Sequence, residues 1–246
     1  MTIYTDLHSR VALVTGASRG IGAAIALALA EAGAAVAINY RERAKEAETI
    51  AARIRESGAQ ALIVGADVSR PGPVVAMVER IADELGPVDV LVNNAGIGLA
   101  RGVDDLTEED FDLTIAVNLK SAFLCTQAVL PAMRGRKWGR IVNISSGAAR
   151  GAGGIGLHYN ASKAGLEGLT RGYAARLVRE GITVNAVAPS LIETDMMRAR
   201  RDEFVSRIPL GRMGYPDEVA QAVLMVIGNP YLTGQTVQLN GGTSFI

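Results

Sequence analysis

Seven short aliphatic runs, most of them β-branched, recur along this chain and are separated by longer amphipathic stretches. The runs occupy residues 10–15, 35–39, 61–64, 88–92, 140–144, 183–187 and 236–239. Most are apolar almost without interruption, which is what a strand covered on both faces requires. The helical stretches between them are 20–32, 44–57, 73–85, 111–133, 159–179 and 217–227. Strands alternating with helices in this way predict a doubly wound α/β domain, a parallel sheet with helices on both faces. No Pro/Ser-rich linker, charge block or internal repeat divides the 246 residues, so one domain is expected over 1–246. Aromatic residues are only 4% of the chain against 49% hydrophobic overall, so the core has to be built from Ala, Val, Ile and Leu.

Charge and cysteine content remove several function classes. Lys+Arg and Asp+Glu are each 25, a formal net charge of zero, which gives no bulk attraction to nucleic acid or to an anionic membrane. Any phosphate must be gripped locally. The single cysteine, Cys125, excludes an intrachain disulfide and a multi-cysteine metal site, and suits a reducing compartment. Residues 1–8 lack the basic start and apolar run of a secretory signal, and no apolar stretch is read as long enough to span a bilayer. A cytoplasmic protein without a metal is expected.

The first strand runs into Thr15-Gly-Ala-Ser-Arg-Gly-Ile-Gly22 and then into an Ala-rich helix. Glycines there permit a tight turn and close approach of backbone to a pyrophosphate, while the helix N-terminus offers free N–H groups. A glycine cluster alone is a common turn; the strand before it and the helix after it favour dinucleotide binding. At the end of the second strand, where a carboxylate selects NAD and an arginine selects NADP, the chain reads Asn39-Tyr-Arg-Glu-Arg43. Arg41 and the loop residue Arg19 are placed to share one phosphate, so NADP(H) is favoured over NAD(H). Glu42 keeps NAD in play.

Tyr159 and Lys163 stand one helical turn apart and share a face, where an ammonium could stabilise a phenolate that otherwise forms only near pH ~10. On an exposed helix such a pair means little; here its company decides. Thr15–Gly22, Asp67-Val-Ser69, Asn93-Asn-Ala-Gly96, Asn118, Ile144-Ser-Ser146, Tyr159–Lys163, Pro189–Thr194 and Asn240-Gly-Gly242 follow in order along nearly the whole chain. In these motifs the sequence resembles the short-chain dehydrogenase/reductase family, and within it the 3-oxoacyl-acyl-carrier-protein reductase group. The resemblance implies a seven-stranded Rossmann sheet, NAD(P)-dependent oxidoreduction at a carbonyl or secondary alcohol, and a homotetramer.

Carried over residue by residue, the resemblance implies a catalytic set of Ser146, Tyr159 and Lys163 with Asn118 as a fourth member. Tyr159 would be the proton donor, its pKa lowered by Lys163. Ser145 competes with Ser146, since neighbouring strand residues face opposite ways. The backbone carbonyl of Asn118 would hold a water reaching Lys163. For the cofactor the resemblance implies Gly16, Ser18, Arg19, Gly20, Ile21, Gly22, Arg41, Asp67, Val68, Asn93, Ala95, Gly96, Pro189, Ile192 and Thr194, together with Tyr159 and Lys163. His158 is expected to line the substrate mouth or the surface, because it points about 100° away from Tyr159.

The stretch 190–214 is expected to be a lid, with Met196, Met197, Arg198, Arg200, Arg201 and Phe204 available to an acyl chain or to a phosphate of a CoA or phosphopantetheine group. The substrate is a small carbonyl or alcohol, with a 3-oxoacyl thioester first, carried by CoA or acyl carrier protein. A sugar, polyol or steroid alcohol dehydrogenase is the runner-up, and a dinucleotide-sensing protein without turnover is the reading from outside enzymology. Three departures bear on the carrier protein. Ser190 replaces the glycine usual after Pro189, the lid is a few residues short, and Lys137 and Glu180 stand where the relatives carry a basic docking pair.

Overall fold

The computed structural model describes residues 5–194 and 205–245. Seven strands form one parallel sheet: β1 (Val11–Val14), β2 (Ala35–Tyr40), β3 (Ala61–Gly65), β4 (Val90–Asn93), β5 (Gly139–Ile144), β6 (Ile182–Pro189) and β7 (Thr236–Leu239). Their order is β3-β2-β1-β4-β5-β6-β7. Every neighbouring pair is parallel, with Leu13 beside Ala37 on one side and Leu91 on the other. The order reverses between β1 and β4, and a ligand crevice opens beyond the carboxyl ends of strands at such a switch point.

The helices are α1 (Gly20–Glu31), α2 (Ala44–Glu56), α3 (Pro71–Glu84), α4 (Glu108–Ile115), α5 (Ser121–Arg136), α6 (Leu157–Leu177) and α7 (Pro216–Gly228). Alternate strand residues feed two cores. Ala12, Val14, Val90, Val92 and Val142 pack with α1, α2 and α7, whereas Leu13, Leu91 and Ile141 pack with α3, α5 and α6. Both faces are covered, which is why the strands read as continuous apolar runs. Element bounds shift from the expected ones by a few residues, most at the helix expected from residue 111, which begins at Glu108. Thr107 caps it by accepting from the Asp110 N–H, and three acids fill its first turn.

Between α4 and α5 the chain adopts π-helical geometry over Ala116–Lys120, so Glu108–Arg136 is one continuous helix of 29 residues. This corrects the sequence reading, because by length and composition that helix is apolar enough to cross a membrane. Half of its most apolar window is buried inside the fold. Cys125, Val129 and Met133 on it belong to the core with α3 and α6.

Candidate active site

The glycine turn after β1 is shaped by two asparagines as much as by its glycines. Asn94 donates from Nδ2 to the carbonyls of Thr15 (2.9 Å) and Gly16 (3.1 Å), while Thr15 Oγ1 accepts from the N–H groups of Asn94 and Ala95. Asn39, 2% exposed at the tip of β2, accepts from the Gly16 N–H at 3.2 Å and donates to the carbonyls of Val64 and Ala66. A Cβ on Gly16 would lie 2.9 Å from Ala95 Cα, and one on Gly22 would lie 2.5 Å from Asn94 Nδ2. Only glycine fits at either point. The outcome is a bare backbone turn at the N-terminus of α1, the shape and polarity a pyrophosphate needs.

Around this cradle the expected cofactor residues fall in two groups. Ile21, Gly96 and Pro189 line the cleft, and Thr194 Cγ2 comes within 3.7 Å of a Cβ built on Gly20. Ser18 lies within the glycine turn and Arg19 directly precedes α1, exposed. Arg41 is close enough to Asp67 to favour its ionised form, and Arg19 acts likewise on Glu46. Asp67 is bound by the N–H and hydroxyl of Ser69, and these bonds with Arg41 and Arg70 outweigh burial and lower its pKa. Val68, Asn93 and Ile192 are different: their side chains are 6%, 5% and 5% exposed. Asn93 donates to Asn143 Oδ1 at 2.8 Å and Ile192 sits in the core, so these side chains are engaged within the fold, which leaves their backbones to a cofactor. On a strand tip alternate side chains face opposite ways, which turns Asn93 inward and leaves Asn94 to the cradle.

At the far end of the cleft β5 delivers two serines. Ser145 is 3% exposed and donates to the Lys163 carbonyl at 3.2 Å, whereas Ser146 faces the opening beside the Tyr159 phenol, near enough to favour its ionised form, and accepts from the Ala148 N–H at 3.2 Å. Of the two, Ser146 is the one beside the phenol. Lys163, 5% exposed, donates from Nζ to the Ile144 carbonyl at 2.8 Å, and burial pulls its pKa down to about 8. Its Nζ is 5.8 Å from the Tyr159 ring centroid. Burial raises the Tyr159 pKa, opposed only by the nearby Ser146 hydroxyl. The expected lowering of its pKa is not met here, because burial outweighs it.

Asn118 lies in the π turn, 2% exposed, and its side chain binds both backbone groups of Ile97, at 2.8 and 3.0 Å, as well as Ser162 Oγ. A Cβ on Gly96 would be 3.4 Å from Asn118 Oδ1 and 3.6 Å from Lys163 Nζ, so Gly96, Asn118 and Lys163 meet. His158 corrects its expectation. It is 0% exposed and its Nε2 is paired with the Leu99 carbonyl at 3.0 Å. The expected lid residues Met196, Met197, Arg198, Arg200, Arg201 and Phe204 lie outside the described residues; the segments on either side of them pair through Ile192 and Gly214.

The cradle role of Asn39 was missed by sequence reasoning, although a polar residue closing an otherwise apolar strand was a visible signal, and Asn94 was read only as part of the Asn93-Asn-Ala-Gly96 motif. Asn94 also lines the open cleft, a space of about 160 Å³ bordered by Ser146, Tyr159 and Lys163. Glycine cradle, switch-point cleft and a serine–tyrosine–lysine cluster define a nicotinamide-dependent oxidoreductase acting between a secondary alcohol and a carbonyl. Residues 10–204 match the model of the short chain dehydrogenases. A 3-oxoacyl-[acyl-carrier-protein] reductase of Synechocystis sp. is 42% identical over 242 residues, 97% of this chain and 98% of that protein. A (2S)-[(R)-hydroxy(phenyl)methyl]succinyl-CoA dehydrogenase subunit of Thauera aromatica is 43% identical over 244 residues, again 97% and 98% of the two chains. Among solved structures, a 3-oxoacyl (acyl-carrier-protein) reductase of Agrobacterium tumefaciens with NADP bound superposes with a TM-score of 0.91 at 36% identity, covering 97% of this chain and 96% of that one. The chain belongs to the short-chain dehydrogenase/reductase family.

Proposed function

We propose that this protein is an NADPH-dependent reductase of a 3-oxoacyl thioester, with Tyr159 as general acid. The observation that carries the reading is the Tyr159 phenol, protonated by virtue of its burial and set beside Ser146 at the end of a cradle that accepts a dinucleotide. When bound, the dinucleotide supplies the hydride. Negative charge then grows on the substrate oxygen, and the hydroxyls of Ser146 and Tyr159 are donors already aimed where it forms. Tyr159 gives up its proton to that oxygen, and Lys163 beneath it supplies the positive charge that steadies the phenolate left behind. Asn118 fixes Ile97 and Ser162 around this pair, and Gly96 leaves room for its backbone to pass over Lys163.

Preference for NADP(H) is supported by Arg41 and Arg19 at the adenosine end and by the lack of a free carboxylate at the β2 tip, where Asn39 is fully engaged. Glu42 forms an exposed ion pair with Arg41 at 2.6 Å, and a 2′-phosphate would compete with it for the guanidinium. CoA is the better carrier than a docked acidic protein, because Glu180 stands in the expected basic position and holds Arg134 through two hydrogen bonds.

The test is NADPH and NADH oxidation with acetoacetyl-CoA, a 3-oxoacyl carrier-protein thioester and a panel of simple ketones. Acetoacetyl-CoA with NADPH is expected to react fastest. Failure on both thioesters would sink the acyl reading, and a preference for NADH would sink the arginine argument. Tyr159→Phe is expected to lower kcat at least about a hundredfold with NADPH affinity retained. An unchanged kcat would remove the acid assigned here.

A further inference from the structure

The loop from β5 to α6 carries one large apolar side chain amid glycines: Gly151-Ala-Gly-Gly-Ile-Gly156. Such a sequence has little intrinsic order, since glycine backbones lose the most freedom on folding. Ile155 is nevertheless pinned on three sides. Its carbonyl accepts from the Arg101 N–H at 3.0 Å. Its side chain rests on Gly98, where an added Cβ would come within 3.1 Å of Ile155 Cδ1. The next residue, Gly156, has φ +146, and a Cβ there would strike the His158 ring at 2.6 Å and the Arg101 carbonyl at 3.0 Å. The His158 imidazole in turn holds the Leu99 carbonyl. Two loops, one from β4 and one from β5, are thus latched over the first turn of α6, and they line the cleft with Ile97 from the first and Ile155 from the second.

We infer that Ile155 is the specificity-determining wall of the substrate site, limiting the size of the group on the far side of the reacting carbonyl, and that buried His158 is the positioning residue holding that wall in place. The inference rests on the cleft being the place where a ketone is reduced, as proposed above. The physical basis is contact: Gly98 leaves space for the isoleucine on one side, so the side chain cannot retreat further without breaking the Arg101 bond. A substrate group larger than the remaining gap must displace it. One methylene of misfit in such a pocket changes discrimination by roughly 10- to 200-fold.

The experiment uses a ladder of ethyl 3-oxo esters whose terminal group grows from methyl to phenyl, with the intact enzyme and NADPH. In Ile155→Ala the phenyl-to-methyl ratio of kcat/KM is expected to rise about tenfold. In Ile155→Phe and in Gly98→Ala, which pushes Ile155 toward the cleft, it should fall. His158→Ala should widen the profile as Ile155→Ala does, and His158→Gln, which keeps a side-chain N–H, should restore it. Binding of the same ladder to the enzyme saturated with NADP+ is measured in parallel by calorimetry, because no hydride is then available for turnover. A size profile unchanged in both Ile155 variants overturns the wall while leaving the reductase reading intact. Turnover absent with the binding profile shifted keeps the wall and removes the reductase reading. No binding by any member overturns the wall, and His158→Ala that only lowers the melting temperature overturns its positioning role.

Discussion

Lys163 is where burial and chemistry meet most sharply in this protein. Desolvation pulls its pKa from 10.5 to about 8, so the charge the mechanism needs is held only below that pH. Tyr159 titrates above its usual value, so across the neutral range the phenol keeps the proton it must donate. Reduction should therefore show a basic limb with an apparent pKa near 8, set by loss of the Lys163 charge rather than by the phenol. In Lys163→Arg, whose guanidinium remains charged, that limb should move up or vanish even though overall activity drops. A limb that stays near 8 in the arginine variant would assign it to another group. The pair itself was legible from its spacing, because four residues on a helix impose a shared face. The sense of the Tyr159 shift was not, since spacing says nothing of how deeply the phenol is buried. His158 misled for a related reason: a residue's angle on its helix is readable, but which neighbouring loop will cover it is not.

At the scale of elements, the strands and helices were readable because each buries a face whose period is written in the residues, whereas the π turn over Ala116–Lys120 has no such mark. Its effect is to carry Asn118 to Ile97 and Ser162, and π geometry often accompanies functional positions. The start of α7 shows how an element end can support the site. Glu218 accepts from both Arg212 terminal nitrogens, at 2.9 and 2.7 Å, and from the Tyr215 N–H at 2.8 Å. These bonds tie down the segment in which Gly214 pairs with Leu191 and Glu193 through backbone bonds. The Arg212 hydrogen bonds, and then the Tyr215 N–H, hold the Glu218 carboxyl down at about 2 against an ordinary 4.5. A depressed carboxylate stabilises the fold above pH 4.5, and that contribution is lost as pH falls toward about 2. The group is largely exposed, so screening keeps its worth modest. Glu218→Ala should cost about 1 kcal/mol at pH 7 in thermal melting, chiefly through the lost cap. The gap from wild type should narrow steadily below pH 4. An equal gap at pH 7 and pH 3 would place the stabilisation elsewhere.

For the whole molecule, the sheet accounts for the site but leaves apolar surface uncovered. Phe123 on α5 is 43% exposed, and Phe245 near the C-terminus 91% exposed. On α6 the residues Ala161, Ala164 and Gly168 form an exposed strip of small side chains at helical spacing, which would let another helix approach closely. The family resemblance implies a tetramer built through the helices 111–133 and 159–179 and, second, through the C-terminal stretch 241–246, whose last residue, Ile246, lies outside the described residues. Gly168 offers a clean probe of the first. A Cβ built there meets nothing nearer than Arg171 Nη2 at 4.0 Å, so a large side chain is accommodated within the single chain. Gly168→Arg should therefore leave the fold and the melting of the isolated subunit intact while blocking helix-to-helix contact between copies. In light scattering at micromolar concentration, wild type is expected at four times the chain mass and the variant at half that value, held together by the C-terminal region alone. A monomeric wild type would overturn the tetramer, and a tetrameric Gly168→Arg would move the first interface off α6.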